Sequence, residues 1–203
     1  MLTASNDARL NADEQAIVLE LAQRSVALGL SAEPPLEPMV EYHSPNLRRW
    51  RSSFVTLRQH REIVGRAGTV EPTTALISDI CHNAYVAAYN CNQGLSGEPL
   101  MIEICVVNGL EQLKCKSLNE VCGQIVRGEH GALMRHTNGA ATLTPDSWDR
   151  FSDATEFTRQ LCERAGVCPE EWQDDAQLLV YRMEPIAMAE LCRYQTWRPD
   201  KPR

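Results

Sequence analysis

The run Phe54-Val55-Thr56-Leu57-Arg58-Gln59-His60-Arg61-Glu62-Ile63-Val64-Gly65-Arg66-Ala67-Gly68-Thr69-Val70-Glu71-Pro72 contains two β-rich segments, Ser52 to Arg58 and Ile63 to Val70, around a polar Gln59-His60-Arg61-Glu62. That pattern predicts a hairpin. In the second segment the period of two puts Val64, Arg66 and Gly68 on one face and Ile63, Gly65, Ala67 and Thr69 on the other. Glycines weaken a strand unless a bulge is wanted or something approaches the backbone closely. A tight bend at a sheet corner is the commoner reason for such a GxxG, and a ligand cleft is the other.

Upstream, Asn11 and Glu14 form a capping box for a helix whose apolar residues Ile17, Val18, Leu21, Ala22 and Leu28 recur at helical spacing up to Gly29. Four prolines between Ser31 and Asn46 forbid continuous helix or a central strand, so this stretch reads as an ordered connection. Downstream, Thr73 to Tyr89 predicts a second long helix, Asn90 to Pro99 a loop, and Leu100 to Val107 a mostly buried strand. Ser117 and Glu120 cap a short helix reaching Val126. Thr137-Asn138-Gly139 joins a second hairpin, Asp153 and Glu156 cap a helix stopped at Gly166, and Gln177 to Met183 is the last strand. Hairpins interleaved with helices, without βαβ regularity, predict an α+β fold with a mixed or antiparallel sheet.

The chain has 203 residues, 43% of them hydrophobic, enough for a sizeable core, and a net charge of −7 that gives no global attraction to nucleic acid or an anionic membrane. No apolar stretch reaches the length of a spanning helix, and the first residues carry neither a basic start nor an apolar core of a signal peptide, so a cytoplasmic protein is expected. The eight cysteines, Cys81, Cys91, Cys105, Cys115, Cys122, Cys162, Cys168 and Cys192, are read as reduced and structural, because most sit in apolar runs such as Ile104-Cys105-Val106. No CxxC, CxxH or HExxH occurs, so neither a metal site nor a cofactor is expected.

Two further features carry chemistry. Between Arg48 and Arg66 there are six arginines and one acid, a local +5 in a chain of −7, so the rest sums to −12. With Trp50 and Phe54 interleaved this suits phosphate contact and stacking, but arginines paired with the acidic excess elsewhere are the stronger reading, and nucleic acid is not the expected partner. Gly128-Glu129-His130-Gly131 resembles a catalytic tetrapeptide, yet Glu and His between glycines are more often an exposed turn. Trp148, Trp172 and Tyr181 are expected to be packing anchors.

The order of these segments carries a resemblance. FVTL, a short hairpin, GxxGTxEP and a helix with Asn83-Ala84-Tyr85-Val86-Ala87-Ala88-Tyr89, followed by Ile102-Glu103-Ile104, Gly128 to Leu133, Ala141 to Trp148 and Phe157 to Trp172, resemble a divergent member of the AMMECR family, known in prokaryotes as protein A of the AmmeMemoRadiSam system. The resemblance covers about Leu10 to Met183 and implies one AMMECR-like domain over residues 10–184 with a C-terminal extension over 185–203. It implies two unequal lobes with a cleft, no established activity, and genes that travel with those of a Memo-type protein and a radical S-adenosylmethionine (SAM) protein.

Where the family usually reads Leu-Arg-Gly-Cys-Ile-Gly this chain reads Ile63-Val64-Gly65-Arg66-Ala67-Gly68, without the arginine and cysteine expected at positions 64 and 66. Arg66 shares a strand face with Val64 and can return a guanidinium from the neighbouring position. An Asp-Pro-Arg-Phe element after the second helix is replaced by Asn90-Cys91-Asn92-Gln93-Gly94. The reading is an accessory binding protein whose cleft, lined by Gly65, Arg66, Gly68, Thr69 and Glu71, takes a small anionic ligand or a partner. The rival is an enzyme of the same system, using Arg66 or a cysteine from another element, and a nucleic-acid accessory protein is the third reading.

Overall fold

The computed structural model describes residues 9–91, 99–115, 118–168 and 176–191. Helix α1, Ala12–Leu30, starts where the sequence places its cap: the Asn11 side chain accepts from the Glu14 N–H and Glu14 accepts from the Asn11 N–H, both at 2.9 Å. The Glu14 carboxylate also accepts from Ser44 and Asn46, which fastens the proline-rich connection to the start of the helix. That connection contains a 3₁₀ turn, Val40–Tyr42, and a four-residue helix α2, Pro45–Arg48.

Strands β1, Ser53–Gln59, and β2, Glu62–Gly68, form the expected antiparallel hairpin. His60 and Arg61 turn it with φ of 51° and 70°, the left-handed region that glycine or asparagine usually supplies. Helix α3, Leu76–Asn90, follows, then the long strand β3, Leu100–Leu113. The short helix α4, Leu118–Cys122, ends before the expected Val126, and its proposed cap Ser117 lies outside the described residues. The second hairpin pairs β4, Gly131–His136, with β5, Gly139–Leu143. Asp153 caps α5, Ala154–Arg164, and β6, Gln177–Leu191, runs eight residues beyond the expected end. The strand order is β2-β1-β3-β6-β4-β5, and the β1/β2, β1/β3, β4/β5 and β4/β6 pairs are all antiparallel. The fold is α+β.

The chain divides into two compact units of unequal size, residues 1–106 with 185–203, and residues 107–184. In the first, Val18, Ala22 and Val26 of α1 and Ile77, Ile80, Ala84, Ala87 and Ala88 of α3 pack with Val55 and Leu57 of β1 and Leu100, Ile102 and Ile104 of β3. Each large side chain removed from water there contributes about 1.5–3 kcal/mol. In the second, Trp148 stacks on Phe157 at 4.0 Å and Phe151 meets the same ring edge-on at 5.4 Å. Trp148 and Tyr181 are thus the packing anchors expected, and Trp172 lies outside the described residues.

A buried polar knot fixes α3 to β1. The Ser53 N–H and hydroxyl donate to Asp79 Oδ2 at 2.8 and 2.6 Å, and Asn83 Nδ2 donates to the same oxygen at 2.9 Å, to the Ser53 carbonyl at 3.2 Å and to its hydroxyl at 3.1 Å. Burial pushes the Asp79 carboxyl up, against the lowering effect of the Ser53 donations, the His82 charge and Asn83. Because what the donors need is an oxygen acceptor, Asp79→Asn should cost under about 1 kcal/mol in urea unfolding, whereas Asp79→Ala, which orphans the buried Ser53 N–H, should cost about 3 kcal/mol. Equal losses for the two variants would show that the charge itself holds the knot.

Candidate functional site

The pairing register sorts the side chains of the first hairpin, since residues directly opposite one another share a face. Val55 lies opposite Ala67 and Ile104, and Leu57 opposite Gly65 and Ile102, so this set faces the core beneath α3. The other face carries Phe54, Thr56 and Arg58 of β1, Gly68 and Arg66 of β2, and Cys105, Glu103 and Met101 of β3. Arg66, Thr56 and Glu103 form one row across three adjacent strands, all within the first unit.

That row is polar and partly enclosed. Arg66 is half-buried, and its Nε donates to Thr56 Oγ1 at 2.9 Å, on a threonine that is only 2% exposed. Arg58 Nε donates to Glu103 Oε2 at 3.4 Å, in a pair still open enough to water to add no more than about 1 kcal/mol of stability. The Cys105 thiol faces the other oxygen of Glu103, with Sγ 3.9 Å from Oε1.

The glycines answer a close approach to the strand, one of the reasons their pattern offered. A side chain at Gly65 would run into the Ala87 carbonyl and come within 3.0 Å of the Cys91 Cβ, and one at Gly68 would overlap the Phe54 ring and the Ser53 carbonyl. The close approach at these two positions is made by the protein's own helix and ring. A bulge does occur, on β2 itself: Leu57 pairs with Gly65 and the next residue, Arg58, with Ile63, so Val64 is the extra residue beside Gly65, and the expected alternation is corrected there, Ile63 falling on the Arg66 face and Val64 packing against the core. Thr69 is exposed just past β2 and donates to the Glu71 carbonyl at 3.2 Å, which places both in a turn beside the strand end. Of the five expected residues, Arg66 alone has its side chain within the row. Thr56, Arg58, Glu103 and Cys105 were missed, though the alternation of β1 and β3 would have put them on its face.

Elsewhere, Cys81 is buried against α1 while His82 is exposed, and among the described residues no group of three or more His, Cys, Asp or Glu is arranged to hold a metal. The seven described cysteines are all free, and Cys192 and residues 92–98, including Asn92 to Gly94, lie outside the described residues. Of the arginines, Arg49 and Arg51 flank an exposed Trp50. No described helix is long and apolar enough to cross a membrane.

The family model AMMECR1 matches residues 19–186. The chain belongs to the AMMECR1 family. It is 28% identical to a protein of Thermofilum pendens over 87% of this chain and 89% of that protein, and 23% identical to a protein of Methanosarcina mazei over 85% and 90%. The crystal structure of the uncharacterized protein PH0010 from Pyrococcus horikoshii superimposes with a TM-score of 0.73 at 20% identity, covering 89% of this chain and 93% of that one, so the two chains share a fold.

One AMMECR1 segment that looked catalytic is structural. His130 is buried; its Nδ1 accepts the Val126 N–H at 3.2 Å, so the neutral ring carries its proton on Nε2, and its carbonyl accepts from Trp148 Nε1 at 2.7 Å. Gly128 and Glu129 of this turn are exposed, Glu129 paired with Arg182 at 3.6 Å. Burial, then the Arg182 charge, holds the imidazole below its ordinary value of 6.5, against opposing pulls from Glu129 and Glu111. The unfolded chain therefore binds this proton more readily, and the stability the neutral ring contributes is present above pH 6.5 and lost as pH falls through the lower folded value. Thermal melts should show wild type losing stability below pH 6.5 more steeply than His130→Asn, whose amide oxygen can still accept the Val126 N–H. Parallel pH profiles would contradict this.

Proposed function

We propose that this AMMECR1-domain protein is an accessory binding protein whose site is the Arg66 row of the first unit, and that it takes a small anionic ligand there. The observation that carries this is the Arg66 guanidinium, aligned by a buried threonine on the sheet face that α3 does not fill. A guanidinium presents a planar donor fork that matches a carboxylate or phosphate, and alignment from the Nε side lowers the ordering cost of binding. Thr69 and Glu71, next to the end of β2, form the rim in this reading, with Gly65 and Gly68 setting the strand's position beneath it. Work alongside a Memo-type protein and a radical SAM protein is part of the same proposal and rests on the family resemblance.

Calorimetric titration with acetate and with inorganic phosphate tests it. Arg66→Gln, which keeps a donor for Thr56 Oγ1 and removes the cationic fork, should weaken acetate binding by on the order of tenfold or more, with the melting midpoint nearly unchanged. A wild type that binds neither anion, or an Arg66→Gln variant that unfolds several degrees lower with acetate affinity intact, makes Arg66 a structural residue and ends the proposal.

A further inference from the structure

We propose that Cys105 is the reactive thiol of the Arg66 row and that the ligand it meets is a small carboxylate whose neighbouring carbon is electrophilic, the class of the 2-oxo acids. This rests on the anion-binding reading above and goes beyond it.

Cys105 differs from the other buried cysteines. Cys91 belongs to the apolar core of the first unit and Cys162 to that of the second, and Cys81 sits between α1 and α3. Cys105 belongs to neither core, although its chain neighbours Ile104 and Val106 do, because strand alternation turns it to the opposite face. There its Sγ lies 3.9 Å from Glu103 Oε1, and the other oxygen of Glu103 is held by Arg58. A nucleophile within reach of a base that a third group orients is the arrangement of covalent catalysis. Arg66 stands in the same cross-strand row as that base, where it can hold the ligand's carboxylate. In the step, the thiol proton passes to Glu103 and Sγ bonds to the carbonyl carbon. The π pair moves onto the carbonyl oxygen, which then takes the proton from Glu103. The product is a hemithioketal, and nothing is oxidised or reduced.

Iodoacetate is a probe of this class, with a carboxylate beside an electrophilic carbon, and iodoacetamide is its neutral counterpart. In each case an Sγ–C bond forms, the C–I bond breaks, and iodide leaves. The intact protein is treated with either reagent and labelling at Cys105 and at the exposed Cys168 is followed by peptide mass spectrometry. The iodoacetate-to-iodoacetamide rate ratio at Cys105 should exceed that at Cys168 by on the order of tenfold. Arg66→Gln should bring it down to the Cys168 value, acetate should protect wild-type Cys105 from iodoacetate, and Glu103→Gln should slow both reagents at Cys105. Acetate protection decides the matter even if a variant fails to fold. Cys105 unlabelled by both reagents while Cys168 reacts, or equal ratios at the two sites, overturns the proposal. If acetate binds in the calorimeter while Cys105 stays inert, only this inference falls; if acetate neither binds nor protects, the anion-binding reading falls with it.

Discussion

The absence of a side chain at position 65 lets the α3 backbone at Ala87 settle directly on β2, and the rest of the first unit depends on that contact. Helix and hairpin come closer there than any other residue would permit, while Asp79, near the opposite end of α3, gathers donors from Ser53 and Asn83 and pins the same helix to β1. Between these two points the helix presents Ile80, Ala84 and Ala87, which fill the space over Val55, Leu57, Ile102 and Ile104. One sheet face is thereby committed to packing. A strand has only two faces, so Thr56, Arg58, Arg66 and Glu103 are directed to the other one, while Ser53 stays on the α3 face where Asp79 and Asn83 hold it. The charged row of Arg66, Thr56 and Glu103 is a consequence of the helix packing as much as of its own composition.

Local chemistry was legible in the sequence wherever the partner lay a few residues away. The Asn11 and Glu14 box and the Asp153 cap form as expected, and the second hairpin forms where expected, turning at Thr137-Asn138 with Gly139 paired to His136 at the start of β5. The first hairpin turn offered no such signal, because His60 and Arg61 take left-handed conformations without a glycine. Strands β3 and β6 outrun their expected ends because residues such as Asn108-Gly109 and Pro185 are ordinary strand breakers that the sheet nevertheless carries, Gly109 at a φ of 62°.

The site was half legible for the same reason. Period two put Arg66 on a face distinct from Gly65, and the register agrees. What the glycines accommodate could not be read locally, since Ala87 and Cys91 are more than twenty residues away along the chain. Cys105 was hidden by its neighbours: Ile104 and Val106 make an apolar run, and the run conceals that alternation sends the thiol to the side of Glu103. The cysteine missing from position 66 and the one present at position 105 share a sheet face, a relation that exists only once β1 lies between β2 and β3.

The first unit divides its labour between the faces of one sheet, packing on the α3 face and the proposed ligand on the opposite face. An acetate titration followed residue by residue by nuclear magnetic resonance measures that division most directly. Saturable shifts centred on Thr56, Arg66 and Glu103, with the Asp79 and Asn83 signals of α3 unmoved, are the predicted result. Shifts centred on α3 or on the second unit, or none at all, would contradict it.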